Sequence, residues 1–261
     1  TLLRSMLVAG GEIAIPPETV VMPFIALQFQ AIQDIGWHNL SRLVISNLET
    51  QYNLPMWELD FAPVYEQAWK LPGKERSLAK IIDLIFLHYA QQHAPNAILW
   101  GDQTPRNIQR YQWLLKVFPK AKYMHVLRDG RDVIASFVQM GSSLESKIEQ
   151  WQYSVENAAA MKQLLPADQF LEVRYEDLVS DTTTVLQQVS AFAGIQYSEK
   201  MLDYCKMPTT LEHKYKDYHR NLAKPVTNAS VGRWKERLSA EQQRTIHQEL
   251  GDLLEANGYR V

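Results

Sequence analysis

Hydrophobic and polar positions alternate with both strand and helix periods along this chain. Tyr123–Leu127 is a short apolar run that ends at Arg128, and Asp129-Gly130 follows as a turn. From Arg131 onwards, apolar residues recur at helical spacing. A strand, a turn and a helix in this order predict a βα unit. α/β proteins bind ligands where the loop of such a unit opens.

Three further runs have the length and the flanking turn residues of strands: residues 12–15, 97–100 and 170–174. We expect the run 97–100 to be buried. The remaining apolar positions predict helices over 1–9, 21–69 (with breaks near Gly36, at 53–55 and at Pro63), 77–92, 107–118, 145–165, 182–193, 199–204 and 239–257. Ser77 and Ser239 are the expected N-caps of two of them. Strands that alternate with helices predict a three-layer α/β fold, in which a central parallel sheet is flanked by helices.

Polar loops follow the four predicted strands, at residues 17–19, 101–104, 128–130 and 175–177. Because the carboxyl ends of parallel strands share one edge of a sheet, we expect these loops to surround one cleft. Arg128 and Ser136, about two turns into the next helix, can converge on one anion. The alternative is an ordinary crossover with a solvated arginine.

A phosphate-bearing cofactor fits such a cleft, with Tyr175 available to contact a base. Glu18 could accept the proton of an attacking hydroxyl. The alternatives are a solvated turn residue for Glu18 and an aromatic residue at the core rim for Tyr175. For Asp102 we favour a cap or turn residue.

Composition excludes several classes of function. The chain has 261 residues, of which 46% are hydrophobic, and its net charge is −2, so bulk charge does not indicate nucleic acid binding. One cysteine cannot form an internal disulfide, which favours a reducing, cytoplasmic location. Apolar runs stay below the roughly 18 residues that a membrane span requires. The seven histidines show no metal-ligand spacing, so we predict no metal.

Four segments resemble the sulfotransferases that use 3′-phosphoadenosine 5′-phosphosulfate (PAPS). Residues 118–136 are similar to their 3′-phosphate-binding segment, and residues 173–178, which contain Tyr-Glu-Asp, to their element near the adenine. Residues 230–235, Ser-Val-Gly-Arg-Trp-Lys, are similar to the late Gly-x-Trp segment that returns to the 3′-phosphate. Residues 1–7 look like the helix that follows their phosphosulfate loop. All four occur in the family's order, so the chain is identified as a member, with a P-loop-like fold in a single domain over 1–261.

The resemblance implies PAPS as cofactor and its bisphosphate product, PAP, as the spent form. Residues 17–19, Pro-Glu-Thr, look like the Glu-Glu-Thr of tyrosylprotein sulfotransferases, whose glutamate is the base, so Glu18 is the expected base. The residues implied in cofactor binding are Arg128 and Ser136 at the 3′-phosphate, joined by Arg233 or its neighbours Gly232 and Trp234, Tyr175 at the adenine, and Thr1 as the last residue of the phosphosulfate loop.

Two departures from the family pattern concern the donor site. The resemblance places the phosphosulfate loop and its preceding strand ahead of Thr1, so we expect the sequence to begin inside a longer protein. Residues 101–105, Gly-Asp-Gln-Thr-Pro, resemble a bacterial-type Gly-Asp-Lys-Thr-Pro, while the Lys-Thr-His-Leu-Pro of cytosolic small-molecule enzymes is absent. Gln103 thus replaces a lysine, and its neutral amide cannot neutralise charge.

The acceptor and the reaction class stay open at this point. We expect a hydroxyl-bearing acceptor, which could be a small molecule, a sugar or a tyrosyl peptide, and no nucleic acid, with a homodimer as one possible assembly. A helical insertion at about 21–95 and the loop 208–228 would shape the acceptor pocket. Five aromatic residues of this insertion fit either an acceptor site or an ordinary core, and we favour the core: Trp37, Tyr52, Trp57, Tyr65 and Trp69. A P-loop kinase-like phosphoryl transferase and a non-catalytic nucleotide-binding relative are the alternatives.

Overall fold

The computed structural model describes residues 1–19, 22–206 and 220–260. The chain divides into two units, each formed by two stretches of sequence. Unit 1 comprises Thr1–Ala121 and Ser190–Pro225, and unit 2 comprises Lys122–Val189 and Val226–Val261. The single domain predicted over the whole chain stays a prediction.

The described residues of the N-terminal stretch of unit 1 form six α-helices and one pair of strands. These elements are α1 (Leu2–Gly10), β1 (Ile13–Ala14), α2 (Met22–Ala31), α3 (Trp37–Glu49), α4 (Ala62–Trp69), α5 (Leu78–His93), β2 (Leu99–Trp100) and α6 (Tyr111–Val117). Strands β1 and β2 are parallel, with Ile13 opposite Leu99. Short 3₁₀ segments lie at 33–35, 54–57, 73–75, 105–110, 199–201, 204–206 and 220–223.

Unit 2 contains the second parallel strand pair and the C-terminal helices. These elements are β3 (Tyr123–Leu127), α7 (Gly130–Gln139), α8 (Leu144–Leu164), β4 (Phe170–Arg174), α9 (Tyr175–Ser180), α11 (Trp234–Arg237) and α12 (Ala240–Ala256), while α10 (Thr182–Ala193) continues into unit 1. Strand β3 pairs in parallel with β4 along its whole length, from Tyr123 opposite Phe170 to Leu127 opposite Arg174. Both strand pairs are parallel, as the α/β prediction requires.

The helix ends follow from local chemistry. Helix α1 ends at Gly10, and its C-cap Gly11 has φ of 90°, a conformation that residues with a Cβ rarely adopt. Ser77 caps α5 by accepting a hydrogen bond from the Lys80 N–H at 3.1 Å. Ser239 and Gln242 form a reciprocal capping box at α12. These caps confirm the predicted starts of α5 and α12.

Three predictions for unit 1 were wrong in detail. Pro63 does not break a helix but lies in the first turn of α4, where its missing N–H is tolerated. The run 97–100 is not buried: Ile98 is 67% exposed and Leu99 is 37% exposed. The helix predicted over 107–118 begins as a 3₁₀ turn over Pro105–Arg110 and becomes α-helical at Tyr111.

A continuous apolar cluster holds unit 2 together. It joins β3, α7, α8 and α12 through Leu127, Ile134, Ala135, Ile148, Trp151, Val155, Leu238, Ile246, Leu250, Leu254 and Tyr259. The Trp151 indole crosses the turn between β3 and α7, so a Cβ on Gly130 would lie 2.8 Å from two of its ring atoms. Trp151 also donates from Nε1 to the Arg128 carbonyl at 3.1 Å. The end of β3 is thereby fixed to the core of unit 2.

Candidate functional site

In unit 1, backbone groups of the segment 17–19, which follows β1, form hydrogen bonds with three side chains. The Pro17 carbonyl accepts a hydrogen bond from Trp57 Nε1 at 3.0 Å, and the Glu18 carbonyl accepts one from Asn53 Nδ2 at 3.4 Å. The N–H of Thr19 donates to Thr104 Oγ1 at 3.0 Å. Glu18, the predicted base, therefore lies on a backbone that is anchored on both sides.

The loop after β2 meets this segment through Asp102. Its Oδ1 accepts from the hydroxyls of Thr19, at 3.2 Å, and of Thr104, at 3.1 Å. Its Oδ2 accepts from Asn107 Nδ2. The amide oxygen of Asn107 is buried and has no hydrogen-bond partner among the described residues. The structure thus brings together two of the predicted strand-end loops. Asp102 is not the cap of the following helical turn, whose N-cap is Thr104.

Burial and the surrounding charges together set the pKa of the Glu18 carboxyl. Burial raises the pKa of the Glu18 carboxyl, and the neighbouring Asp102 carboxylate raises it further. Arg4 and Arg106 act in the opposite direction. Arg4 is itself buried and donates from Nε to the Ile15 carbonyl at 2.8 Å, so its positive charge is fixed in position. A half-buried carboxyl with a raised pKa is a typical general base.

Thr1 occupies the N-cap position of α1 without a side-chain capping bond. Its carbonyl accepts the Ser5 N–H at 3.0 Å. The Ser5 hydroxyl is buried, and it lacks a hydrogen-bond partner in the described part of the chain. Gln103 is half-buried.

In unit 2, Arg128 lies where β3 ends, and Tyr175 lies where β4 ends. The Arg128 guanidinium carbon is 4.5 Å from the centroid of the Tyr175 ring, within cation–π distance. Arg128 Nη2 donates to the Ser230 carbonyl at 2.7 Å. Its Nε is buried and unpartnered within the described ranges. The predicted meeting of an arginine and a tyrosine at this edge is therefore observed.

The backbone around this pair is tied down as well. Residues 175–177, predicted as a loop beyond β4, instead form the first turn of α9, because the strand passes directly into a helix. The Glu176 carboxylate accepts the Asp129 N–H at 3.0 Å and the Tyr259 hydroxyl at 3.2 Å. This carboxylate connects the two strand ends to the C-terminal residues.

Asp132 holds the late segment, which sequence reasoning did not foresee. Its Oδ2 accepts the Gly232 N–H at 2.7 Å and its Oδ1 accepts the Trp234 N–H at 2.9 Å. These two predicted cofactor residues therefore direct their N–H groups to a carboxylate of the protein. Arg233, between them, is exposed. The only sequence signal for Asp132 is a polar residue on the otherwise apolar face of α7.

Arg237 joins Arg128 and Arg233 in a cluster of positive charge. Burial lowers the pKa of Arg237, and the charges of Arg233 and Arg128 lower it further. Its Nε is buried and, like that of Arg128, has no partner among the residues described. Arg237 was missed from the sequence, although its spacing of four residues from Arg233 on a helical segment was a usable signal.

Ser136 lies about two turns into α7 and is half-buried. The N-terminus of this helix is capped by Asp129, whose Oδ1 accepts the Arg131 N–H at 2.9 Å. Asp129 also pairs with the Arg131 guanidinium at 2.8 Å. Arg131 is therefore paired with a carboxylate, whereas Arg128 donates to the uncharged carbonyl of Ser230.

Two features are absent from residues 1–19, 22–206 and 220–260. Groups of three or more His, Cys, Asp or Glu side chains placed to hold a metal ion were not found there. Helices long and apolar enough to cross a membrane were not found in those ranges either.

Comparison with known proteins places these residues in a family context. The model of the Sulfotransferase family matches residues 1–199. Protein-tyrosine sulfotransferase 1 of Danio rerio is 22% identical over 258 residues, which cover 94% of this chain and 65% of the relative. Omega-hydroxy-beta-dihydromenaquinone-9 sulfotransferase Stf3 of Mycobacterium bovis is 23% identical over 172 residues, or 60% of this chain and 40% of the relative. The chain thus spans less than two thirds of these curated relatives.

Two solved structures share the fold. The sulfotransferase domain of the Synechococcus PCC 7002 olefin synthase has a TM-score of 0.63 at 23% identity, covering 100% of this chain and 90% of that domain. The sulfotransferase domain from the curacin biosynthetic pathway has a TM-score of 0.61 at 18% identity, covering 96% and 92%. These likenesses confirm the predicted P-loop-like α/β class. Together with the family match, they show that the chain belongs to the sulfotransferase family, whose members take a sulfonate group from a donor.

Proposed function

We propose that the intact protein transfers a sulfuryl group from PAPS to a hydroxyl acceptor. The observation that carries this proposal is the arginine cluster of unit 2. Arg128 and Arg237 each present a buried guanidinium nitrogen that lacks a partner in the described part of the chain. A buried, unpaired donor is costly unless a ligand satisfies it, and an anion such as a phosphate does so best.

The residues of unit 2 fit the nucleotide end of PAPS. Arg128 and Arg233 would hold the 3′-phosphate together with the Ser136 hydroxyl. Trp234 would contribute its side chain, because its N–H is bonded to Asp132, and Gly232 would contribute a backbone conformation. Tyr175 would contact the adenine. When bound, PAPS supplies the sulfuryl group and a phosphate leaving group.

Glu18 is the base in this proposal. Its carboxylate takes the proton of the acceptor hydroxyl as the oxygen becomes a nucleophile. The raised pKa supports this role, because a more basic carboxylate accepts a proton more readily near neutral pH. Transfer then depends on position and on fixed positive charge at the oxygens that gain charge.

Thr1 and Gln103 are the donor-side residues that we propose in unit 1. We propose that Thr1 contributes to the 5′-phosphosulfate end. Gln103 could donate a hydrogen bond to the leaving oxygen without neutralising its charge.

The acceptor class is proposed only as a hydroxyl. One relative is named for protein tyrosine and another for a dihydromenaquinone. Trp57 is 1% exposed and so acts as a core residue of the region 21–95. Trp37 is half-buried and donates to the Ala68 carbonyl at 2.8 Å. Trp69 and Tyr52 remain exposed enough to contact an acceptor, at 37% and 67%. The cytoplasmic location expected from the single Cys205, and the homodimer, stay predictions.

A kinase-like phosphoryl transferase would need a carboxylate that is free to hold Mg²⁺. Asp102 is the carboxylate considered for this role, and both its oxygens accept hydrogen bonds from Thr19, Thr104 and Asn107. This arrangement favours the sulfuryl transferase over the kinase.

Two measurements on the intact gene product test the proposed function. Isothermal titration calorimetry with PAP should show binding that persists in EDTA. Release of PAP from PAPS should then depend on an acceptor, in a panel of p-nitrophenol, a tyrosyl peptide and a simple sugar. Absence of PAP binding, or turnover only with ATP and Mg²⁺, would overturn it. PAP binding without release of PAP from PAPS would instead favour the non-catalytic relative.

A further inference from the structure

Asp102 is a partly buried carboxylate to which the proposed transfer gives no role. Hydrogen-bond donors surround it: two hydroxyls and one amide N–H₂ reach its oxygens. Burial nevertheless raises its pKa, because these donors compensate only part of the lost hydration. Because burying this carboxylate is unfavourable, we looked to its neighbours for a function of its charge.

A short chain of bonds connects Asp102 to the proposed base. The Thr104 hydroxyl donates to Asp102 and accepts the N–H of Thr19 at 3.0 Å. The Thr19 hydroxyl lies 3.2 Å from Asp102 Oδ1 and 3.1 Å from Thr104 Oγ1. Thr19 directly follows Glu18 in sequence. The conformation of the backbone that carries the Glu18 carboxyl therefore depends on the orientation of two hydroxyls, which Asp102 sets.

Asp102 also acts on Glu18 by its charge. The charged side chains that act on the Glu18 carboxyl are Asp102, Arg4 and Arg106. Asp102 is the acidic one of these three, so its charge adds to burial in raising the pKa of Glu18. Arg4 and Arg106 lower that pKa.

We propose that Asp102 is a positioning residue that acts on Glu18 through the hydroxyls of Thr19 and Thr104 and through its own negative charge. The catalytic part of this inference rests on the proposed function, in which Glu18 is the base. The physical link between the two carboxyls does not, and it can be measured in the apo protein.

Two substitutions separate the charge of Asp102 from its hydrogen bonds. Asp102→Asn removes the charge and keeps an oxygen for the two hydroxyls. Its new N–H₂ can bond to Asn107 after that amide turns over, since the Asn107 oxygen has no other partner among the described residues. Thr104→Val keeps the charge and removes the hydroxyl that accepts the Thr19 N–H. Thr104→Ser restores this hydroxyl, and Asp34→Asn at an exposed position of unit 1 is the matched charge control.

The first readout is the titration of Glu18 in the apo protein. Carboxyl ¹³C signals of labelled glutamate are followed against pH, and the Glu18 signal is assigned by its absence in Glu18→Gln. Asp102→Asn should lower the titration midpoint of Glu18, because the neighbouring negative charge is gone. Asp34→Asn should leave it unchanged. An unchanged midpoint in folded Asp102→Asn would overturn the electrostatic link.

The second readout is kinetic and uses the best acceptor of the panel described above. In Asp102→Asn the acidic limb of kcat/KM should move to lower pH. In Thr104→Val, kcat per folded molecule should fall by roughly tenfold or more, because the transfer rate depends steeply on the position of the Glu18 carboxylate. Thr104→Ser should recover most of this loss, and PAP affinity should stay the same in all variants. Equal kcat values in Thr104→Val and wild type would overturn the positioning role. Failure of wild type to bind PAP would instead overturn the proposed function and leave the ¹³C titration as the test of Asp102.

Discussion

The N–H of Gly232 donates to Asp132 Oδ2 at 2.7 Å, across a separation of 100 residues. The second oxygen of the same carboxylate accepts the Trp234 N–H. Gly232 has φ of 74°, in the left-handed region where a Cβ is strained, and this conformation turns two nearby N–H groups towards one carboxylate. One side chain of α7 therefore sets the conformation of the segment that carries Arg233.

Asp132→Asn should weaken both the fold of unit 2 and its affinity for PAP. An asparagine can accept only one of the two hydrogen bonds, and its N–H₂ then faces an N–H. Each lost bond to a charged acceptor costs about 1.5–3 kcal/mol. Urea unfolding monitored by circular dichroism should report this loss, and calorimetry should show weaker PAP binding in the folded protein. Asp252→Asn, at an exposed position of α12, is the matched control. Equal PAP affinity in Asp132→Asn and wild type would refute a role for this carboxylate in the cofactor site.

Arg128→Ala should weaken PAP binding by at least about tenfold, since a charge-assisted bond to phosphate contributes roughly 1.5–3 kcal/mol. The measurement is calorimetry at fixed ionic strength, because affinity for an anion depends on salt. Arg244→Ala removes the same charge from an exposed position of unit 2 and should leave the affinity unchanged. If both variants bind PAP as wild type does, the assignment of the 3′-phosphate site to Arg128 is wrong.

Glu18→Gln should lower turnover by on the order of 10²–10⁴-fold, which is the usual contribution of a general base. PAP affinity should be unaffected. In wild type, activity should fall as pH drops through the Glu18 pKa, because only the ionised carboxylate accepts a proton. Since burial raises that pKa, the fall should begin at a higher pH than for an ordinary glutamate. Glu66→Gln, whose carboxylate is exposed, is the control for rate and pH profile. Undiminished turnover in Glu18→Gln would exclude it as the base.

Local patterns in the sequence were sufficient for the strands that carry the unit 2 site. Tyr123–Leu127 and Phe170–Arg174 have the predicted bounds: Arg128 follows the first run, and the second run ends with Arg174 itself. The meeting of Arg128 with Tyr175 then follows from parallel pairing alone. Whether these residues bind PAPS stays a prediction.

The residues that orient the site could not be predicted in the same way. Asp132, Asp102 and Trp57 act through partners 100, 83 and 40 positions away in the sequence, and no local period encodes such pairs. The exposure of Ile98 was also missed. A short apolar run predicts a buried strand, but the sequence does not show which of its side chains the rest of the fold covers.

Gly130 is the position where packing under the site can be tested most directly. A Cβ there would lie 2.8 Å from the indole of Trp151, whose Nε1 holds the carbonyl of Arg128. Gly130→Ala should therefore destabilise the fold by about 1–3 kcal/mol, which is typical of an overpacked core. At Gly73 a Cβ would meet nothing within 4 Å, so Gly73→Ala should change stability by less than about 1 kcal/mol.

Urea unfolding monitored by circular dichroism measures both glycine variants, and a third substitution identifies the cause. Trp151→Phe removes part of the ring that the new methyl group would strike. In the Gly130→Ala background it should cost less than it does in wild type, because the clash and the indole are lost together. Additive costs would mean that Gly130 is required for its backbone conformation and not for the approach of Trp151. The coupling also bears on the site, since a displaced indole releases the Arg128 carbonyl. Gly130→Ala should then bind PAP more weakly than Gly73→Ala at equal folded concentration.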